Sequence, residues 1–271
     1  MKRPLRFYFQ LGFTIIVCLF LTVPVVMSVM AGLTVNYFEG IRSGVTLRWV
    51  VEVWTLYSDT IYRTLWIALS CLFVTLVIGV PAAYVLAKQQ NGWTRLVEEL
   101  LVLPIAVPGL ATGLALILAY GQFRNFRASW IFILVGHVLF TLPFMVRSVI
   151  AVMSAIDLRT IEEGAASLGA TFWQRFFGVI LPNCRSGILA GALLVLTLSI
   201  GEFNITWMLY TPFTKTLPVG LADSYASMRL EIGSAYTIVF FFLIIPLLIA
   251  MQMLSAPRHA RAGNGAQLLR A

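Results

Sequence analysis

The sequence predicts an all-α polytopic membrane protein with six transmembrane helices. Its composition, the length of its apolar runs and the placing of its bases point to this. Of 271 residues, 60% are hydrophobic and 11% charged, whereas soluble domains carry about 25% charged residues. Mean hydropathy is +0.91. The apolar residues come in six runs, at roughly 11–33, 61–87, 98–122, 129–152, 186–209 and 235–255. A helix needs about 20 such residues to cross a bilayer.

The first run follows "MKRPLR", and "VMA" before Gly32 has the form of a signal cleavage site. The run is longer than the about 7–15 apolar residues of a signal peptide, so it reads as a retained span. Lysine and arginine then orient the chain, because they concentrate on the cytoplasmic side. With the N-terminus inside, 12 of the 19 bases lie at inner ends and 7 at outer ones. Residues 1–10 are then a cytoplasmic arm, 11–255 the membrane domain, and 256–271 a cytoplasmic, disordered tail. The outer connections 34–60 and 210–234 have enough aromatic and apolar residues to pack on the membrane face.

Several function classes fall away. The net charge of +8 is not gathered on one face as nucleic-acid binding requires. Cys18, Cys71 and Cys184 are odd in number and lack metal-ligand spacing, so neither a disulfide framework nor a metal site is expected. No glycine is followed by lysine, so the chain lacks a Walker-type phosphate loop. A secondary transporter would show related halves and paired charges in several spans; no repeat is visible. A membrane enzyme would need clustered polar residues at depth, and His137 and His259 stand far apart.

The fourth and fifth runs are separated by "TIEEGAASLGATFWQRFFGVILP", residues 160–182. Asp157 can cap a helix whose apolar positions Leu158, Ile161, Ala165 and Leu168 recur at helical intervals. Arg159 precedes Glu163 by four residues, a spacing that pairs them weakly. Gly169 is a natural stop. Thr171 can cap a second short helix bearing Phe172, Trp173, Phe176, Phe177 and Ile180, which Pro182 would end. The aromatics suit an interfacial anchor. The small residues Gly164, Ala165 and Ala166 beside Glu162 and Glu163 suit close approach by another surface.

This segment resembles the signature loop of the permease subunits of binding-protein-dependent ABC importers. That pattern runs Glu-Ala-Ala, three residues, Gly, nine residues, then Ile-x-Leu-Pro. Here it reads Glu163-Gly164-Ala165, Gly169, then Val179-Ile180-Leu181-Pro182, with Gly164 and Val179 departing from the pattern. "LPIAVPGLATGLALIL" and "GEFNITWMLYTPFTKTLPV" are similar to the branch serving spermidine/putrescine, iron, molybdate, thiamine or 2-aminoethylphosphonate. The resemblance implies a type I importer fold and a coupling loop at about 157–183. Its Glu162, Glu163, Gly164, Ala165, Ala166, Leu168, Gly169 and Pro182 would serve coupling to an ATPase. It also implies a transport subunit, not an enzyme, in the bacterial inner membrane. The partners would be an ATPase dimer holding ATP and Mg, a second permease subunit (the same or a related chain) and an external solute-binding protein. No cofactor is expected in this chain. The implied cargo is a small polar solute of polyamine or 2-aminoethylphosphonate type.

Within the spans, Pro104 and Pro108 are four apart, so they share one face of the third run and bend it, either as a gating kink or as plain helix packing. Gly187 and Gly191 allow close helix approach. Glu202 lies in the outer part of the fifth run, where a carboxylate facing lipid is expensive. With Asn204 and Thr206 it lines the translocation pathway, or else it makes an interhelical hydrogen bond or a snorkelling contact near the outer interface. His137 and Arg147 have no partner visible in the sequence.

Overall fold

A computed structural model describes residues 5–89 and 91–255. The tail expected at 256–271 lies outside the described residues. Among these the regular structure is helical: α1 (Leu5–Ala31), α2 (Arg48–Leu56), α3 (Ser58–Lys88), α4 (Gly92–Ala106), α5 (Gly109–Tyr120), α6 (Arg124–Arg127) and α7 (Trp130–Met153). These are followed by α8 (Leu158–Ser167), α9 (Phe172–Arg175), α10 (Leu181–Asn183), α11 (Arg185–Ile200), α12 (Asn204–Leu209), α13 (Leu217–Ala226) and α14 (Leu230–Ser255).

Among the described residues four helices, α1, α3, α7 and α14, are long and apolar enough to cross a membrane. The number rises to six if each of two bent pairs counts as one span. The first bent pair corrects the third run. Pro104 lies inside α4 but Pro108 caps α5, and the two helices diverge by 104°. The two prolines therefore share no helix face. Pro108 has no N–H to continue α4, and it biases Val107 to the extended conformation found there. The second bend, of 72°, separates α9–α10 from α11. Pro182 does not end the aromatic helix. It lacks an N–H for the carbonyl four residues back, the backbone over Phe176–Ile180 widens to a π turn, and the break follows at Cys184. The fifth run is also discontinuous: α11 stops at Ile200, and α12 restarts at Asn204.

The chain divides into two compact units, Met1–Tyr62 with Lys215–Leu243, and Arg63–Thr214 with Ile244–Ala271. In the first, Gly32 lets the end of α1 meet α14, since a Cβ there would lie 2.7 Å from the Ser234 backbone. Glu231 accepts the Tyr37 N–H at 2.9 Å, and Arg229 binds Glu52 at 3.2 Å. In the second unit α7 is central. Gly187 and Gly191 of α11 allow its approach, as Cβ atoms there would lie 2.7 Å from the Ser148 carbonyl oxygen and 2.8 Å from Met145 Sδ. Met145, Val149 and Met153 of α7 join Ala83 and Tyr84 of α3, and Phe176 and Ile180 of the π turn, in one core. Phe132, Ile133, Ile205 and Leu209 form another. Cys18, Cys71 and Cys184 are free thiols.

Candidate coupling surface and buried polar centre

The loop between α7 and α11 is built by local capping. The Asp157 side chain accepts the Thr160 N–H at 3.2 Å and its hydroxyl at 2.6 Å. The Thr160 hydroxyl and N–H hold the Asp157 carboxyl below the usual carboxylate range. Helix α8 ends on Gly169 at φ +80°, a left-handed position that favours glycine. The Ala170 N–H reaches the Ala165 carbonyl and the Gly169 N–H reaches that of Ala166, the two bonds of a Schellman ending. Thr171 and Gln174 then form a capping box that starts α9.

The two adjacent acids of α8 point in different directions. Glu163 is exposed and paired with Arg159 at 2.8 Å, whereas Glu162 is only 4% exposed. Its Oε1 accepts from Lys88 Nζ at 2.8 Å and from the Tyr84 hydroxyl at 3.0 Å, with Arg175 at 3.6 Å. Burial pushes the Glu162 carboxyl up, but Lys88, Tyr84 and Arg175 outweigh it, so its pKa lies below the ordinary range. Only one of the pair is open to a partner. Gly164, Ala166, Leu168 and Gly169 are exposed, Ala165 is half-buried, and Leu168 projects with 89% of its surface free. A groove of about 710 Å³ beside them is lined by Lys88, Asp157, Arg159, Glu163 and Arg175 among others.

The aromatic stretch is also two-faced. Phe176 and Ile180 are buried, and Tyr84 meets Phe176 with ring centroids 5.5 Å apart. Trp173 and Phe177 are stacked at 5.8 Å and exposed. Pro182 is exposed at the start of α10.

The second polar centre surrounds α12. Glu202 is buried and accepts the N–H groups of Ile205 and Thr206 at 2.7 and 2.8 Å, and the Thr206 hydroxyl at 2.6 Å. It therefore caps the N-terminus of α12, where a carboxylate complements the helix dipole. His137 of α7 bridges Ser199 and Thr206, at 2.8 Å each, and lies 3.6 Å from Glu202. At the other end of α12 the Arg127 guanidinium donates to the Leu209 carbonyl at 2.6 Å. Glycines bring the neighbouring helices close: Cβ atoms at Gly109, Gly113 and Gly136 would lie 2.6 to 2.8 Å from Asn204, Met208 and Ile205. Glu202 and Thr206 are thus brought together, while Asn204 is exposed. Sequence reasoning missed the parts played by Arg127 and His137. The only available signal was a basic or polar residue near a short apolar restart, and it names no partner.

Residues 76–258 match the family described as binding-protein-dependent transport system inner membrane component. That span covers well over half of the chain. The chain belongs to this family. The sulfate transport system permease protein CysW of Synechocystis sp. is 31% identical over 212 residues, 73% of this chain and 76% of that protein. PhnV of Salmonella typhimurium, named for 2-aminoethylphosphonate transport, is 28% identical over 247 residues, 89% of this chain and 90% of its own length. The molybdenum transport system permease protein ModB of Haemophilus influenzae is 26% identical, with 76% and 97% covered. Two solved structures share the fold at 18% identity. The MetNI methionine ABC transporter matches with a TM-score of 0.62, covering 76% of this chain and 96% of that one. A bacterial ABC transporter involved in alginate import reaches 0.66, with 92% and 93% covered. This permease is therefore a membrane-embedded transport component of an ABC importer and not an enzyme. Permeases of such importers work with ATPase and solute-binding partners.

Proposed function

We propose that this permease couples to a separate ATPase through α8, on the face that carries Arg159, Glu163, Gly164, Ala166, Leu168 and Gly169. The observation that carries the reading is the division of labour on α8. Glu162 is turned inward and held, while Glu163 and Leu168 stand free on a capped, well-defined helix. A rigid projection suits transmission, because a partner biases a two-state bundle only through differential contact. The working importer is then two permeases, two ATPases that hold ATP and Mg, and an external solute-binding protein. Both termini and α8 lie in the cytoplasm, in accord with the distribution of bases, and the membrane is a bacterial inner membrane.

For the cargo, the named relatives support a small oxyanion or phosphonate over a polyamine. Their names specify sulfate, 2-aminoethylphosphonate and molybdenum. Glu202 and Thr206 hold α12 in place, and exposed Asn204 is the residue of that group that faces the pathway. Pro108, at the 104° bend, sets the angle of α5 beside it.

The test is copurification of the tagged chain with its ATPase, followed by uptake in reconstituted vesicles. Glu163→Lys is expected to insert normally and to lower uptake about tenfold or more, within the range of ordinary coupling energies. Normal uptake by Glu163→Lys would reduce the loop to a surface anchor.

A further inference from the structure

We propose that Glu162 is a positioning residue that ties α8 to the end of α3, so that displacement of α8 passes directly into a membrane span. This rests on the reading of α8 as the ATPase contact and adds the route by which its movement leaves the loop.

The chain itself is a poor transmitter at this point. Helix α8 ends at Gly169, whose φ of +80° turns the chain out of the helix direction, so the helix axis does not continue into the next element. Only two residues of α8 are buried, Leu158 and Glu162. Leu158 sits at the start of the helix in an apolar core, and such contacts have no preferred direction. Glu162 is one turn further on and makes the directional contacts. Its Oε1 is shared by Lys88 at 2.8 Å and Tyr84 at 3.0 Å, both on α3, with Arg175 of α9 at 3.6 Å. Lys88 also donates to the Tyr84 hydroxyl at 3.0 Å, which closes a triangle of charge-assisted bonds.

The α3 side of the tie is firm. Tyr84 is 5% exposed and packs on Phe176. Lys88 is the last residue of a single helix of 31 residues, about 46 Å long at 1.5 Å per residue. A helix held at one end by side chains fixed on another element moves with that element. Among the described residues the neighbouring acid, Glu163, bonds within α8, to Arg159. The two carboxylates therefore separate two tasks, one meeting the partner and one meeting the span.

The experiment uses the full importer in vesicles with Glu162→Gln, Lys88→Gln and the double variant. Three quantities are read: ATPase retained on purification, solute taken up, and solute taken up per ATP hydrolysed. Glu162→Gln is nearly isosteric, and Lys88 is half-exposed at a helix end, so both variants should fold. The expected result is retention of the ATPase with uptake per ATP lowered about tenfold in each single variant. The double variant should be no worse than either single, within about twofold, because both remove the same contact. Uptake per ATP near normal in Glu162→Gln overturns the proposal, as do losses that multiply in the double variant. Loss of the ATPase from Glu162→Gln also overturns it, by making Glu162 a docking contact. A wild-type chain that retains no ATPase overturns the coupling reading itself, and this proposal with it.

Discussion

Glu162 and Glu202 are both buried acids, but they are satisfied in opposite ways. Glu162 takes its donors from α3, at least 74 residues away, with the Arg175 guanidinium of α9 nearby at 3.6 Å. Glu202 takes most of its donors from the next turn of chain, Ile205 and Thr206, and has His137 beside it. The first arrangement joins elements that could otherwise move apart. The second freezes the shape of one short helix. A carboxylate in an apolar chain can thus be a tie or a template, and the origin of its donors distinguishes the two.

The comparison is broken or sharpened most strongly at Glu202. Glu202→Ala leaves two buried backbone N–H groups and a hydroxyl without their acceptor, at about 1–3 kcal/mol for each group left unsatisfied. We expect a loss of roughly 3 kcal/mol and a melting temperature in detergent lower by about 5–10 °C. A change under about 1 kcal/mol would mean that the close glycine contacts hold α12 without the cap.

At Glu162 the expected effect is local. Glu162→Ala should leave the global melting temperature within about 2 °C of wild type, since few residues of α8 join the core. Protease cleavage or hydrogen exchange should instead rise across 157–183, by about tenfold for a contact of about 1.4 kcal/mol. Global destabilisation with an unchanged loop would reverse the roles assigned to the two acids.

These contrasts explain what was legible in the sequence. Asp157, Gly169 and Thr171 were readable because capping is local: donor and acceptor lie within a few residues. The Arg159–Glu163 pair was readable for the same reason. Gly187 and Gly191 announced close approach, and α7 occupies that approach, but the sequence could not name it as the neighbour. The bend at Pro104 and Pro108 was legible, but its size, 104°, and the loss of a shared helix face were not, because hydropathy records apolar length and not direction. Glu202 was readable only as an anomaly. Its partners are nearby in sequence, but the break at Gly201 that lets its side chain fold onto them lies within a continuous apolar run. Lys88 and Tyr84 are remote from Glu162, and nothing in their local pattern points to it.

A smaller effect is expected at Thr206, which serves both Glu202 and His137. Thr206→Val keeps the shape but removes one donor to the carboxylate and the partner of His137 Nε2. Glu202 retains the two N–H donors, so the loss should be about 1–2 kcal/mol, below that of Glu202→Ala. If Thr206→Val equals Glu202→Ala in melting temperature, the hydroxyl bridge rather than the backbone cap holds α12.

The smallest expected effect is that of pH on the α8 tie. The folded-state pKa of Glu162 is depressed, with burial opposed and outweighed by Lys88, Tyr84 and Arg175. A depressed carboxylate stabilises the folded form above its unfolded pKa, about 4.3, and that contribution is lost as pH falls through the folded value. Between about pH 8 and pH 5.5 the carboxylate is ionised in both states, so hydrogen-exchange protection of α8, corrected for intrinsic rate, should not change. Protection should fall only in acid, below the ordinary carboxylate range. Asp157 is depressed in the same direction by Thr160, so its cap is lost in acid as well. Asp157→Asn removes the cap's share, since an amide still accepts the Thr160 N–H and does not titrate in this range. The part of the remaining acid transition that disappears in Asp157→Asn with Glu162→Gln belongs to Glu162. If protection in Asp157→Asn falls already between about pH 7 and 6, Glu162 does not hold its proton-free form in the way its partners require, and the tie is not ionic.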